Sequence, residues 1–235
     1  MLGEATFQHC HFRHADTTIN YSGNPEKTFV VEHCEFDANN VCLHMERNAN
    51  ARIVGNKIHA NDMFIYWDMQ NYGPKELYER CKILVQYNEF YDELGFTFFG
   101  GLYGNDYAAL VIKNNDFHHN RNIFNWSLHL FTPDQKNKSN ITIQQNNFTD
   151  NDRPFWIDLE RAYAAKGITI DQVWKTQGID LSNNWWGPEP EKVLRSTGGW
   201  YNDHYDDGVW FCKPSLPMVM PILKNRADTS PKSDN

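Results

Sequence analysis

The sequence lacks a long apolar run, a basic cluster and a paired-cysteine motif. No stretch approaches the roughly 20 consecutive apolar residues that span a bilayer. Lys and Arg number 22 against 30 Asp and Glu, which gives a formal net charge of −8 and argues against nucleic acid or anionic membranes as partners. A structural zinc site is not expected because no C-x-x-C spacing connects the five cysteines, Cys10, Cys34, Cys42, Cys81 and Cys212.

Targeting and helix signals are also scarce. The start, "MLGEATFQHC", has neither the basic segment nor the apolar segment of a signal peptide. It runs at once into a strand-like stretch, so we expect this chain to begin inside a larger protein. Helical turns are predicted only for "GPKELYERC" (Gly73 to Cys81) and "DLERAYAAK" (Asp158 to Lys166), as short insertions.

A short motif recurs seven times along the chain. Its members are "FQHCHF", "VEHCEF", "IVGNKI", "VQYNEF", "IKNNDF", "QQNNFT" and "LSNNWW". Each contains a cysteine or asparagine followed by a large apolar residue. Short β-rich runs flank every copy, and turns such as "DANN" and "HAND" follow it. The leucine framework of leucine-rich repeats is absent, and the units are too short for propeller blades.

This repeat predicts an all-β solenoid, a right-handed parallel β-helix of about seven coils over residues 5–190. Each strand should pair with its equivalents about 4.8 Å above and below. A closing segment that caps the rod is predicted for 191–224, and a disordered tail for 225–235.

Two columns of side chains follow from the stacking of coils. The first is a ladder at a tight turn, where asparagine tolerates left-handed backbone and its amide hydrogen-bonds along the stack; it comprises Cys10, Cys34, Asn56, Asn88, Asn115, Asn146 and Asn183. The second is a buried apolar stack that comprises Phe12, Phe36, Ile58, Phe90, Phe117, Phe148 and Trp185. Trp186 is predicted to cover the open end, and Gly187 with Pro188 to end the coil. Cys10 and Cys34 are expected to stay reduced, because adjacent parallel strands rarely offer disulfide geometry.

Asparagine is abundant, at 26 residues. Five asparagines open an N-x-S/T sequon: Asn20, Asn125, Asn137, Asn140 and Asn147. An asparagine-rich chain acquires some sequons by chance, but about two are expected from its composition. The excess favours a glycosylated segment that is extracellular or part of an ectodomain.

The second strand of each coil carries the best candidate groove. His44 and Asp68 lie there in adjacent coils, and so do His129 and Asp158, which suggests two pairs for general acid–base catalysis. Trp67, Phe98, Phe99, Trp126 and Trp156 lie in the same region and suit a sugar ring. The polar residues are explained equally well by the alternation of strand side chains between the core and the solvent. A shift of the strand register by one residue would move each side chain to the opposite face of the sheet.

Metal binding has weak signals. "NDHYDDG" (Asn202 to Gly208) offers oxygen ligands for calcium, but an acidic turn that closes the last coil explains it as well. His9 and His11 alternate and would share one face. No metal site and no cofactor are predicted, with calcium as the alternative.

The coil ends "NNDF", "NNF" and "NNWWG" resemble the right-handed β-helix repeat of pectin-lyase-like proteins and of periplasmic copper-maturation proteins. The closing residues Asp203, Asp206, Asp207, Val209 and Phe211 extend this resemblance. With the sequons, the chain is similar to ectodomain modules of the Bark beetle (Anakonda) family of animal cell-junction proteins. That resemblance implies a non-catalytic role in cell adhesion or junction organisation.

The leading functional hypothesis is therefore a non-catalytic extracellular module that binds a protein or a glycan. The alternative is a polysaccharide lyase or glycoside hydrolase of the pectin-lyase-like class. The "G-H-G" and "R-I-K" motifs of polygalacturonase-like hydrolases are absent, whereas lyases have no comparably short signature.

Overall fold

The computed structural model describes residues 4–22, 26–46, 50–68, 82–101, 109–127, 140–160, 180–190, 204–205, 208–211 and 221–230. Three short strands form each of six consecutive coils. The strands are β1 Ala5–Gln8, β2 His11–Arg13, β3 Thr17–Ser22, β4 Thr28–Glu32, β5 Glu35–Asp37, β6 Val41–Glu46, β7 Asn50–Val54, β8 Lys57–His59, β9 Met63–Asp68, β10 Lys82–Gln86, β11 Glu89–Tyr91, β12 Phe96–Gly101, β13 Ala109–Lys113, β14 Asp116–His118, β15 Asn122–Ser127, β16 Asn140–Gln144, β17 Asn147–Thr149, β18 Arg153–Glu160, β19 His204–Tyr205 and β20 Gly208–Phe211.

Equivalent strands of successive coils pair in parallel and build three sheets. Sheet A has the order β1-β4-β7-β10-β13-β16, sheet B has β2-β5-β8-β11-β14-β17, and sheet C has β3-β6-β9-β12-β15-β18. A seventh coil begins with two backbone bridges, Thr142 to Asp180 and Asn147 to Trp185. The parallel β-helix predicted from the repeat is therefore confirmed, and its right-handedness stays a prediction.

The end of sheet C changes direction. Strand β20 pairs antiparallel with β18, and β19 pairs antiparallel with β20. This antiparallel pairing ends the parallel stack, because it covers the edge of β18 that a further coil would use.

Each coil turns at two bends, where one residue adopts a left-handed backbone. The first bend joins sheets A and B, and its left-handed residues are His9, His33, Gly55, Tyr87, Asn114, Gln145 and Asn183. The second bend joins sheets B and C, and its left-handed residues are His14, Ala38, Ala60, Asp92, His119 and Asp150. The ladder residue follows the left-handed residue by one position. Our prediction that the ladder asparagines themselves take this conformation is therefore wrong.

Side-chain amides connect the first bends into one continuous ladder. The backbone N–H of Asn88 and its Nδ2 both donate to Oδ1 of Asn115, at 3.0 and 2.9 Å, and Nδ2 also donates to the carbonyl oxygen of Ile53. The same arrangement repeats from Asn56 to Asn146. Each amide thus satisfies backbone groups that the strands leave unpaired at the bend.

The last rung of this ladder is Asn184, and the prediction of Asn183 is wrong. Oδ1 of Asn184 accepts from N and Nδ2 of Asn146, at 2.9 and 3.1 Å, and Asn184 is fully buried. Asn183 is the left-handed residue before it, with φ of 57°. An N-x-W pattern fits both Asn183 to Trp185 and Asn184 to Trp186, so the motif alone does not fix the register.

Two cysteines occupy the ladder positions of the first two coils. The Cys34 thiol donates to the carbonyl oxygens of Phe7 and Glu32, at 3.5 and 3.3 Å, and the Cys10 thiol donates to Gln8. Both cysteines are free, and burial raises the pKa of Cys34. The thiols therefore take the donor role that amides have in the later coils.

A second ladder, which the sequence analysis missed, follows the second bends. Its members Asn39, Asn61, Glu93, Asn120 and Asn151 are linked in the same way, with each backbone N–H donating to the side-chain oxygen of the next member. Four of the five are asparagines that lie inside the turns "DANN", "HAND", "HHNRN" and "TDND". The sequence therefore did contain a signal, which is the asparagine that recurs in these turns.

Aromatic rings fill the interior between the sheets. Phe90 and Phe117 stack with centroids 4.7 Å apart, and Phe117 stacks on Phe148 at 5.1 Å. The stack ends on Trp186, which is fully buried and lies 4.5 Å from Phe148. The predicted terminal member, Trp185, is only partly buried, because the register of this coil is shifted by one residue.

The predicted insertions and tail are only partly within the described residues. Residues 73–81 lie outside them. Asp158–Glu160 belongs to strand β18, so a helix does not start at Asp158. Residues 221–230 lie against the last coils through hydrogen bonds described below, so the predicted disorder does not hold for this part of the tail.

The two neighbours Asn39 and Asn40 test the ladder. Asn39 is buried and bonds Ala15 N, the Phe12 carbonyl and Asn61 Oδ1, whereas Asn40 is exposed and bonds Asp16. We expect Asn39→Ala to lower the free energy of unfolding by about 2 to 4 kcal/mol, because buried polar partners lose their bonds, and Asn40→Ala by less than about 1 kcal/mol. Urea denaturation measures both, and equal effects would contradict the ladder's role.

Candidate functional site

The outer face of sheet C carries a neutral, largely apolar surface. Two rows of outward side chains cross coils two to four. We name these six partly exposed side chains the sheet C patch; one row is Val41, Met63 and Phe96, and the other is His44, Tyr66 and Phe99. Outside the patch the same rows continue as polar residues, Thr17 and Asn20 in coil one and Asn122 and Asn125 in coil five. Such a bordered apolar surface is typical of an interaction site.

The rings of the patch stack along the solenoid axis. Tyr66 and Phe99 lie face to face with centroids 5.6 Å apart and ring planes 17° apart. His44 meets Tyr66 edge to face at 4.9 Å, and Phe96 contacts Phe99 at 5.5 Å. Because Tyr66 and Phe99 turn ring faces toward each other, their edges point outward.

The connections from sheet C back to sheet A differ in length. Three residues lie between Glu46, the end of β6, and Asn50, the start of β7. The connections after β9, β12 and β15 have 13, 7 and 12 residues. Long connections between strands often carry binding residues.

Of the two predicted catalytic pairs, His44 and Asp68 do not pair in register, and the pair of His129 and Asp158 stays a prediction. His44 pairs in register with Asn20 and Tyr66, whereas Asp68 pairs with Glu46 and Gly101, two positions further along the strand. Asp158 pairs with Ser127 and Trp210, and His129 lies outside the described residues. Within the described part of the chain, Nε2 of His44 is buried without a hydrogen-bond partner. His44 and Asp68 are thus not direct neighbours in the sheet.

Three of the five predicted ligand-binding aromatics have described side chains, and these three divide between the two faces of sheet C. Trp67 and Phe98 are buried in the core, with 2% and 0% of their surface exposed, so their assignment to a ligand site is wrong. Phe99 faces outward, because neighbouring strand residues alternate. The backbone of Trp126 pairs with Gly100, which in turn pairs with Trp67. The backbone of Trp156 pairs with Asn125. The side chains of Trp126 and Trp156 are not among those that the structure describes.

The sequons differ in accessibility. Asn20 is exposed, whereas Asn125 is 9% exposed and Asn147 is fully buried. Asn147 hydrogen-bonds both polar atoms of the Ala227 backbone, which is incompatible with a glycan at this site in the folded chain. Asn137 and the side chain of Asn140 lie outside the described residues. Asn20 is therefore the sequon whose described environment leaves room for a glycan.

Metal ligands are dispersed in the described residues, where no three His, Cys, Asp or Glu side chains are grouped to hold a metal ion. His9 stacks on His33 at 5.4 Å, and His11 lies 3.9 Å from Glu35. The predicted calcium stretch, 202–208, is described only for the backbone of His204, Tyr205 and Gly208.

Sheet B presents a face of different character. His59 contacts Glu35 at 3.1 Å and Asp37 at 3.5 Å, and its ring stacks on Tyr91. His118 stacks on the other side of Tyr91 and contacts Glu89 at 3.3 Å. Most charged groups of this face are therefore engaged with one another, whereas the sheet C patch contains no Asp, Glu, Lys or Arg.

A buried carboxyl group lies at the second bend of coil four. Glu93 takes an asparagine's place in the second ladder, with 2% of its surface exposed, and Oε1 accepts from Nδ2 of Asn61 at 2.9 Å. Burial raises the pKa of Glu93 to about 8, although the Asn61 hydrogen bonds act in the opposite direction. Oε2 is also buried, without a partner among the described residues. At neutral pH the group is therefore mostly protonated.

No protein-family model matches the sequence, and neither a curated protein nor a solved structure is significantly similar to it. The fold itself places the chain in the class of parallel β-helix proteins. Within the described residues, no helix has the length and apolarity required to cross a membrane.

Glu93 should make stability depend on pH. Its folded pKa of about 8 lies above the ordinary value of 4.5, so its contribution is complete below pH 4.5 and is lost as the pH rises to about 8. We expect the free energy of unfolding to fall by as much as about 4 kcal/mol over this range. Glu93→Gln should flatten this slope in urea denaturation, and Glu4→Gln, at an exposed position, should not. Equal slopes in wild type and Glu93→Gln would contradict the assignment.

Proposed function

We propose that this chain is a non-catalytic interaction module that binds a partner protein through the sheet C patch. The observation that carries the proposal is the neutral apolar face of Tyr66, Phe99 and their neighbours on a protein with a formal charge of −8. A sheet anchored along one edge by the second ladder is a rigid support, so little conformational entropy is lost on binding.

The orientation of the rings favours a protein partner over a glycan. A sugar packs its C–H groups on the electron-rich face of an aromatic ring, whereas ring edges carry the positive part of the quadrupole. Tyr66 and Phe99 turn their faces toward each other. Outward edges and the side chains of Val41 and Met63 suit the apolar and carbonyl groups of a protein surface.

Placement outside the cell, in adhesion or at a junction, is part of this proposal. The sequons support it, as does the resemblance of the closing segment to ectodomain modules of cell-junction proteins. The exposed position of Asn20 is compatible with it. After secretion from cultured animal cells, removal of N-linked glycans should increase electrophoretic mobility, and Asn20→Gln should reduce that shift.

The enzymatic alternative, a polysaccharide lyase or glycoside hydrolase, has weaker support. Its proposed pair His44 and Asp68 is separated along the strands, and its proposed sugar platforms Trp67 and Phe98 are buried. Depolymerisation of polygalacturonate by the purified protein would overturn the non-catalytic assignment.

The patch can be tested by adhesion. Beads coated with the wild-type protein are expected to adhere to cultured epithelial cells, and protease treatment of the cells should abolish adhesion. Tyr66→Asp with Phe99→Asp should reduce adhesion at least tenfold, because buried carboxylates in an apolar contact are strongly unfavourable.

A matched control lies on sheet A. Leu84 and Val111 are partly exposed, outward-facing and paired in adjacent coils, so Leu84→Asp with Val111→Asp makes an equivalent change on another face. Adhesion should persist in this variant. Equal adhesion of wild type and the sheet C variant, or adhesion that survives protease but not glycosidase treatment, would contradict a protein partner at the patch.

A further inference from the structure

Residues 221–230, named here the C-terminal strap, run along the first bend from the last coil back to coil five. The carbonyl oxygen of Pro221 accepts from Asn183 N at 2.6 Å, and Leu223 N donates to the carbonyl oxygen of Asn184 at 3.0 Å. Further along, Nδ2 of Asn114 donates to the Asp228 carbonyl at 3.0 Å. The strap thus crosses three coils, with bends at residues 224 and 225.

The side-chain amide of Asn147 hydrogen-bonds to the backbone of the strap. Asn147 accepts from Ala227 N at 2.8 Å through Oδ1 and donates to the Ala227 carbonyl at 3.2 Å through Nδ2. A single amide that binds both polar groups of one residue recognises extended backbone independently of its side chain. Asn147 is itself fully buried, so the contact is fixed in position.

One side chain of the strap is recognised specifically. Arg226 pairs with Asp116, whose surface is 8% exposed, and the guanidinium lies 5.9 Å from the Trp185 ring centroid. The other carboxylate oxygen of Asp116 is buried without a partner among the described residues. A carboxylate this buried needs a cation, so Asp116 selects for arginine or lysine, and the aromatic ring favours arginine.

The strap is not packed like a core element. Six of its ten residues are exposed, and between the strap and the first bend lies a cleft of about 500 Å³ lined by Tyr87, Lys113, Gln145 and Lys224. Apart from Ile222, which packs against the hydrophobic core, the strap is held by polar contacts beside open space, and such a segment has a low local opening free energy. Such a segment can exchange with a competing peptide.

We propose that Asn114, Asp116, Asn147 and Trp185 form a binding site for an extended, arginine-containing peptide, and that the C-terminal strap occupies this site in cis. The partner is a protein segment that supplies arginine opposite Asp116 and extended backbone opposite Asn147. This site lies on the first bend and is separate from the sheet C patch.

The test uses the full chain with its strap displaced. In the variant Arg226→Asp with Ala227→Pro, a carboxylate faces Asp116, and the N–H that Asn147 binds is removed. Both substitutions lie outside the ladders, and a cooperative thermal transition verifies folding. The probe is a fluorescent peptide with the sequence of residues 221–230, and fluorescence polarisation measures its binding.

The peptide should bind the displaced variant at least tenfold more tightly than the wild type, whose own strap competes. Replacing the arginine of the peptide by alanine, or adding Asp116→Asn to the displaced variant, should weaken binding at least tenfold. A scrambled peptide of the same composition is the control. Equal binding to wild type and displaced variant, no saturable binding to the displaced variant, or indifference to the arginine would overturn the proposal and leave the strap a structural cap.

Discussion

The structure depends on one interaction, the hydrogen bonds of buried side-chain amides at the bends of most coils. A left-handed residue turns the chain, and the backbone groups beside it leave the sheet ladders. Without a partner they would be buried and unsatisfied, at a cost of about 1 to 3 kcal/mol each. Asn88 and its equivalents provide these bonds and link each coil to the next. The short strands of sheet B, three residues long, are sufficient only because the bends are fixed on both sides.

The stacking of coils also determines how aromatic rings are oriented on the protein surface. Coils one strand spacing apart place equivalent rings face to face, both inside, as with Phe90 and Phe117, and outside, as with Tyr66 and Phe99. An outward aromatic column on such a solenoid therefore turns its edges to the solvent. Sugar recognition through ring faces is then disfavoured by the architecture, and a β-helix with such columns is better suited to protein contacts.

Periodicity made the fold and most of the first ladder predictable from sequence. The N-x-Φ motif marks a buried amide and a buried apolar residue two positions later, and both follow from strand geometry. In the last coil the predicted ladder residue was displaced by one position, because "NNWW" satisfies the motif in two registers. The second ladder was missed because the residue two positions after its members varies, from Met63 to Arg153, and because Glu93 replaces asparagine.

The candidate site was less predictable, since it depends on register between distant segments. Only the pairing shows that His44 lies beside Tyr66, that Asp68 lies further along, and that Trp67 points inward while Phe99 points outward. The contacts of the strap could not be predicted from the sequence either, because Arg226 and Asp116 are 110 residues apart and no pattern links them. The buried state of Asp116 nevertheless gives a physical reason for the contact. A carboxylate removed from water in a solenoid of net negative charge lowers its free energy by holding the nearest exchangeable cation, and the strap supplies one.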